Sequence, residues 1–255
     1  MGTIGVEEVE TRLGGAERCV ARERERTIAE RKALEAFEAK LRELWGRTHA
    51  IQQSPPVGAV AVPSDGQLRS IRDAYESTVM AVDHYEEEYG DTYAESLAAE
   101  YSPEISAALT RGTTFDDRCR RAVVSANRAA QERRTAFLGL LETEASAIES
   151  ASDTLSSIAD ELATLEKNVE SERNFGALDA YYMPPERARA RLRGTLAERQ
   201  AALVEQRRSL MRSVRGPDIP SYLYSELPVR HPIVSTAAEL LTETDRVERS
   251  IAFSH

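Results

Sequence analysis

The sequence predicts an all-α protein: an elongated antiparallel helical bundle or coiled coil carrying a small compact helical lobe. Three observations predict it. Proline and glycine cut the chain into long stretches free of helix breakers. Within those stretches apolar residues recur in alternating steps of three and four, the seam of a coiled coil. No stretch reads as a convincing strand, because the apolar runs near Val57 and Val229 are short and bounded by proline.

The first stretch, residues 1–50, carries Val6, Val9, Leu13, Ala16, Val20, Thr27, Leu34, Phe37, Leu41 and Leu44 along one seam. Glu23 and Glu30 are its polar interruptions. Gly14-Gly15 is expected to fray or kink its first turns, since glycine costs about 1 kcal/mol in a helix interior. Pro55, Pro56 and Pro63 mark a linker over 51–65. Residues 66–111 read as a compact acidic lobe of two or three short helices. Leu68, Ile71, Tyr75, Val79 and Val82 form one amphipathic helix, Gly90-Asp91 is a stop and restart, and Ser102-Pro103 is another.

A long helical hairpin is expected over 112–215. Its first limb, from Phe115 to Glu172, steps through Phe137, Leu141, Glu144, Ile148, Ala151, Leu155, Ile158, Leu162, Leu165 and Val169. Unbroken, it would run about 87 Å at 1.5 Å per residue, too long to bury itself without a partner along its length. The second limb opens on Pro184-Pro185, suited to a first helical turn, and follows Leu192, Leu196, Leu203, Leu210 and Val214 until Gly216-Pro217. Residues 216–231 read as a Pro-rich loop. The last helix, 232–255, uses Ile233, Ala237, Leu240, Val247 and Ile251. Thr236 and Glu239 have the spacing of a capping box, but Pro232 argues for an earlier start.

Composition bounds the function. At 255 residues and 41% hydrophobic, the chain is one large domain or two small ones and is not wholly disordered. No apolar run approaches the ~18 residues of a membrane-spanning helix, and the N-terminus has no signal-like h-region, so no membrane attachment and a cytoplasmic location are expected. Cys19 and Cys119 are a hundred residues apart and form neither a disulfide framework nor a metal knuckle. Of 33 basic residues only Lys32, Lys40 and Lys167 are lysines, and the net charge is -10. That balance fits a salt-rich cytoplasm or a GC-rich genome. It argues weakly against general nucleic-acid binding, because the overall field repels phosphate.

Familiar catalytic motifs are missing: no glycine precedes a lysine as in a P-loop, and neither Gly-x-Gly-x-x-Gly, Gly-x-Ser-x-Gly nor Glu-x-x-His occurs. Four features then compete with blander readings. Between Asp73 and Thr110 lie ten acids and no Lys or Arg; His84 with Glu88, and Asp83 with Glu87, share helical faces. Two ligands do not close a cation's coordination sphere, so a solvated, salt-bridging face is the expected reading and no metal or cofactor is assigned. Tyr85, Tyr89 and Tyr93 are a candidate partner surface, with the lobe's own packing as the alternative. From Glu186 to Arg215, nine Arg against three Glu make a candidate anionic-partner surface, represented by Arg189, Arg193 and Arg207. Pairing with acids of the facing limb, from Glu161, Glu166, Glu170 and Glu172, is the expected alternative. No aromatic interleaves with these arginines, so a stacking platform for single strands is absent. Arg118, Arg120 and Arg121 sit at the start of the long helix, where Asp116-Asp117 offsets their charge.

Several stretches resemble an uncharacterised family of helical proteins from haloarchaea. They are Leu68 to Asp91 with its Asp83-His84-Tyr85-Glu86-Glu87-Glu88-Tyr89-Gly90 core, Leu97 to Tyr101, Ala129 to Phe137, and Tyr222-Leu223-Tyr224. The resemblance spans most of the chain and implies an intracellular, salt-rich setting; it carries no activity and so no residue roles. The expectation is a non-enzymatic helical scaffold or interaction protein, joined to a protein partner or to copies of itself through its seams. The alternative is a DNA-associated regulator using the Arg-rich helix 187–215.

Overall fold

The computed structural model describes residues 4–53, 64–112, 115–171, 183–213 and 218–253. The expected linker prolines, the turn of the hairpin between 172 and 182, and the expected stop at Gly216-Pro217 lie outside the described residues. Among the described residues there are nine α-helices, one 3-10 turn and no strand. They are α1 (Val6–Gln53), α2 (Ser64–Glu76), the 3-10 turn (Val79–Ala81), α3 (Tyr85–Glu88), α4 (Tyr93–Glu100), α5 (Pro103–Arg111), α6 (Asp117–Ser171), α7 (Met183–Ser213), α8 (Ile219–Leu223) and α9 (Pro232–Phe253).

The helices form where the period says they should, and they turn inward the residues the period names. Along α1, Val9, Leu13, Ala16, Val20, Thr27, Leu34, Phe37 and Leu41 are buried. Along α6, every seam position from Leu141 to Val169 is buried, Glu144 included. Each buried leucine or isoleucine contributes about 1.5–3 kcal/mol. α1 runs on through Gly14-Gly15. There Leu227 comes within 3.6 Å of where a Cβ on Gly15 would lie, so the missing side chain admits a neighbour.

The chain divides into two compact units, Met1–Glu23 with Leu140–His255, and Arg24–Gly139. The division falls inside α1 and α6, each of which contributes to both units.

In the first unit α7 packs against α9 and α6. Arg191 meets Glu161 and Arg199 meets Glu144, so α7 runs antiparallel to α6. Leu165 and Val169 of α6 pack with Val247 and Ile251 of α9. α9 starts at Pro232, and Thr236 lies buried within its body. The stretch 216–231, expected to be a loop, holds α8, with Pro220 in its first turn where a missing N–H costs nothing.

In the second unit α1 and α6 lie antiparallel: Glu30 meets Arg134 and Glu38 meets Arg128, with the Leu34 carbonyl accepting from Asn127 between them. Against this pair pack α2, α4 and α5. Tyr75 is the hub, edge-on to Phe37 at 5.1 Å and to Tyr93 at 5.7 Å. Its hydroxyl bonds to Ser96 at 3.0 Å.

The amphipathic helix expected to reach Val82 instead ends at Glu76. Ser77 turns its hydroxyl back to the Asp73 carbonyl and Thr78 donates to Ala74 at 2.7 Å, competing with the helix ladder. The rest of the expected helix becomes the 3-10 turn, and the region holds four α-helices rather than two or three. Thr92 and Glu95 form a full capping box at α4, and Ser102 caps α5. Gly90 ends α3 with φ +57, its N–H donating to the Tyr85 carbonyl at 3.1 Å. Gly90→Ala should cost about 1 kcal/mol from this left-handed conformation alone, read as a lowered urea midpoint with unchanged slope.

Candidate functional site

The second unit gathers the chemistry that the sequence scatters. Glu30 interrupts the apolar seam of α1 because three groups converge on it. Arg134 of α6 donates from Nε to Oε2 at 2.8 Å. Tyr89 donates to Oε1 at 2.7 Å, and His84 Nε2 lies 3.2 Å from the same oxygen. Burial pushes the Glu30 carboxyl up, but the Arg134 charge and these hydrogen bonds outweigh it and hold the carboxyl below its ordinary range.

Arg134 continues into Glu100, the last residue of α4, with Nη1 and Nη2 on its two oxygens at 3.1 and 2.6 Å. This forked, charge-assisted geometry is the strong form of the interaction. Arg133 adds Nη2 to Glu100 Oε1 at 3.0 Å and to the Glu100 carbonyl at 2.7 Å, closing the helix C-terminus. Burial disfavours the Arg134 charge, yet the two carboxylates raise its pKa above the ordinary arginine value.

Beside this network lies a cavity of about 270 Å³. Leu34, Val79, Val82 and Ala99 supply its apolar walls; Tyr85, Tyr89, Ser96 and Asp91 supply polar ones. Glu30, Glu100, Arg133 and Arg134 complete the lining. Tyr85 is 7% exposed, and its hydroxyl is shielded from solvent without a hydrogen-bond partner. Burial pushes that hydroxyl's pKa up; the neighbouring Ser96 hydroxyl opposes the shift and the Asp91 carboxylate adds to it.

The three tyrosines thus take different places. Tyr85 and Tyr93 are buried, Tyr93 with the Arg72 guanidinium 5.2 Å from its ring. Tyr89 is 45% exposed, with its ring 5.5 Å from that of Tyr85. His84 and Glu88 do not converge on a common point: His84 meets Glu30, while Glu88 pairs with Arg26 at 2.9 Å. Among the described residues no three His, Cys, Asp or Glu side chains are arranged to hold a metal ion.

In the first unit most of the α7 arginines whose side chains are described meet carboxylates. Arg189 holds Asp245 and Glu248 of α9, both at 2.6 Å. Arg191 holds Glu161 at 2.6 Å, and Arg207 holds Asp218 at 2.9 Å. Arg187 and Arg193 are exposed. Glu161 is therefore a partner, as its position on the facing limb implies. Glu166 instead takes Arg246 of α9 at 2.6 Å. Glu170 has no described side chain, and Glu172 and Arg215 lie outside the described residues.

The residue that sequence reasoning passed over is Glu144. Its side chain is 0% exposed. Arg199 grips it with Nη1 and Nη2 at 2.8 and 2.7 Å. Gln206 and Tyr224 add hydrogen bonds at 2.8 and 2.5 Å. Gln206 Oε1 is buried without a partner. Burial pushes the carboxyl up, and Arg199 with the two hydrogen bonds more than reverses it, leaving it below the ordinary range. Burial, with the same carboxylate adding to it, drives the Tyr224 hydroxyl well above its ordinary value. An acid on a seam otherwise filled by apolar residues was the available signal.

At the start of α6, Asp116 caps the Cys119 N–H at 2.8 Å, and Arg120 pairs with Asp117 and lies 5.4 Å from the Trp45 ring. Cys19 and Cys119 are free thiols, Cys19 buried and Cys119 half-buried.

No curated protein and no solved structure matches this chain. The sequence profile of a domain of unknown function, DUF7260, matches residues 11–248, nearly the whole length, and the chain belongs to that family.

Proposed function

We propose that this protein is a non-enzymatic helical interaction protein that associates with a second copy of itself through α7. The supporting observation is an inversion of pattern on that helix. The line that turns inward carries Ala188 and Leu192 and then the polar Arg199 and Gln206. Meanwhile Leu196 and Leu203 are half-covered, Ala197 and Ala201 are exposed, and Val204 is 42% exposed. A helix that buries arginine while leaving Leu196 and Leu203 half-covered and Val204 exposed has an apolar strip to spare. The strip recurs every three to four residues, and Leu196, Leu203 and Leu210 are spaced by seven. Two copies related by a two-fold axis can bury it against itself.

Sedimentation of the full chain tests this reading. The expected mass is a multiple of 28.3 kDa at micromolar concentration. Leu196→Lys with Leu203→Lys should return the monomer while leaving helicity by circular dichroism unchanged, because neither leucine is fully buried. A wild-type monomer at these concentrations sinks the proposal. Arginines already engaged with carboxylates offer phosphate little, so the α7 pairing favours the protein-interaction reading over the DNA one. The acidic, lysine-poor composition and the haloarchaeal resemblance support a salt-rich cytoplasm as its setting.

A further inference from the structure

The cavity of the second unit carries a separate inference, because negative charge and aromatic surface meet in its wall. Four of the charged groups there cancel. Arg134 is shared by Glu30 and Glu100, and Arg133 closes on Glu100 with the rest of its guanidinium toward water. The charge left over is that of Asp91. It lines the cavity half-buried, and no ion pair to it occurs among the described residues. The Tyr85 hydroxyl feels that charge from the same wall. Burial raises its pKa, the Asp91, Glu86 and Glu100 carboxylates add to the rise, and the Ser96 hydroxyl opposes it. The field around this hydroxyl is therefore negative and favours a cation.

The Tyr85 and Tyr89 rings line the same space, with centroids 5.5 Å apart and planes tilted by 50°. Ring faces are negative and attract cations within about 6 Å of the centroid. Leu34, Val79, Val82 and Ala99 supply aliphatic surface. At about 270 Å³ the space exceeds the ~150 Å³ that holds a benzene-sized guest.

The wall also selects among cations. A bare metal ion needs several convergent oxygens, and among the described residues no three His, Cys, Asp or Glu side chains provide them. A primary ammonium brings three N–H donors that must be satisfied once it leaves water. The oxygens of Glu30 and Glu100 already receive donors, so Asp91 is the carboxylate left to accept. A quaternary ammonium brings no donor. Its methyl groups suit ring faces and aliphatic surface, and one carboxylate balances its charge.

We propose that this cavity binds a quaternary ammonium ion. Tyr85 and Tyr89 offer their rings to its methyl groups, Asp91 balances its charge, and the aliphatic wall covers the remainder. No covalent step is involved.

Calorimetric titration of the full chain tests it, with choline as the probe. Two comparison compounds separate the contributions: 3,3-dimethylbutan-1-ol has the shape without the charge, and ethanolamine has the charge without the methyl groups. Choline should bind saturably at one per chain, and each comparison compound about tenfold more weakly or worse. Tyr89→Leu should weaken choline by about tenfold, whereas Tyr89→Phe, which keeps the ring, should hold it within about twofold. Asp91→Asn should weaken choline by about fivefold and leave the neutral alcohol unchanged. This last change is isosteric at a half-exposed position, so it decides the matter even if Tyr89→Leu fails to fold. No saturable heat with choline, equal affinity for either comparison compound, equal losses in Tyr89→Leu and Tyr89→Phe, or an unchanged choline affinity in Asp91→Asn overturns the proposal.

Discussion

Glu144→Ala should destabilise the protein by about 3–5 kcal/mol, the cost of stranding a buried guanidinium. Arg199 is 5% exposed, and both of its hydrogen bonds go to the two oxygens of Glu144. The same change leaves the Tyr224 hydroxyl and the Gln206 amide without their acceptor. Replacing both charged residues by apolar ones of similar size, Glu144→Leu with Arg199→Met, should recover most of that loss, because it removes the desolvation cost along with the pair. Chemical denaturation of the wild type, the single and the double variant reads this directly. A single variant as stable as the wild type would show that Arg199 reaches water.

The pH dependence follows from the same contacts. The folded Glu144 carboxyl sits below its unfolded value of about 4.3. Its stabilisation is therefore complete above that unfolded value and is lost as pH falls through the folded one. The double variant should lack this part of the acid sensitivity.

How legible was all this in the sequence? The inward faces of α1 and α6 were readable residue by residue, from Val9 to Leu41 and from Leu141 to Val169, because burial on a helix repeats with the helix's own period. What period cannot report is the group waiting across the interface. Glu144 stood in the seam in plain view, yet its partners lie 55, 62 and 80 positions further along the chain. Glu30 was visible as an interruption, while the groups that explain it come from 54, 59 and 104 positions away. α7 misled for a related reason. Its leucines mark an apolar face, but the first unit buries the neighbouring face, where Arg199 can reach Glu144. The break after Glu76 depended on hydroxyls of Ser77 and Thr78 bonding backwards, a choice that helical periodicity does not encode. Tyr85 and Tyr93 went inward from two separate helices, α3 and α4, and the break at Gly90 between them is why one shared helical period did not place them.

In the second unit the largest effect should come from Arg134→Ala. The guanidinium is the shared cation of Glu30 and Glu100, whose side chains are 15% and 14% exposed. Removing it leaves two shielded carboxylates close together, with Arg133 still on one and only Tyr89 and His84 on the other. The expected cost near neutral pH is about 3 kcal/mol, the low end for a broken buried pair because neither carboxylate is fully sealed from water. The sign of the pH dependence should also invert at Glu30. In the wild type that carboxyl is held below its unfolded value, so it gives up stability on acidification. Without Arg134, burial and the neighbouring Glu100 dominate and push the carboxyl up. The variant should then regain stability as pH is lowered through the carboxylate range, since protonation removes the uncompensated charge. Denaturant midpoints of both proteins across pH 4 to 7 test this, and parallel curves would mean that Arg134 is not what holds the Glu30 carboxylate ionised.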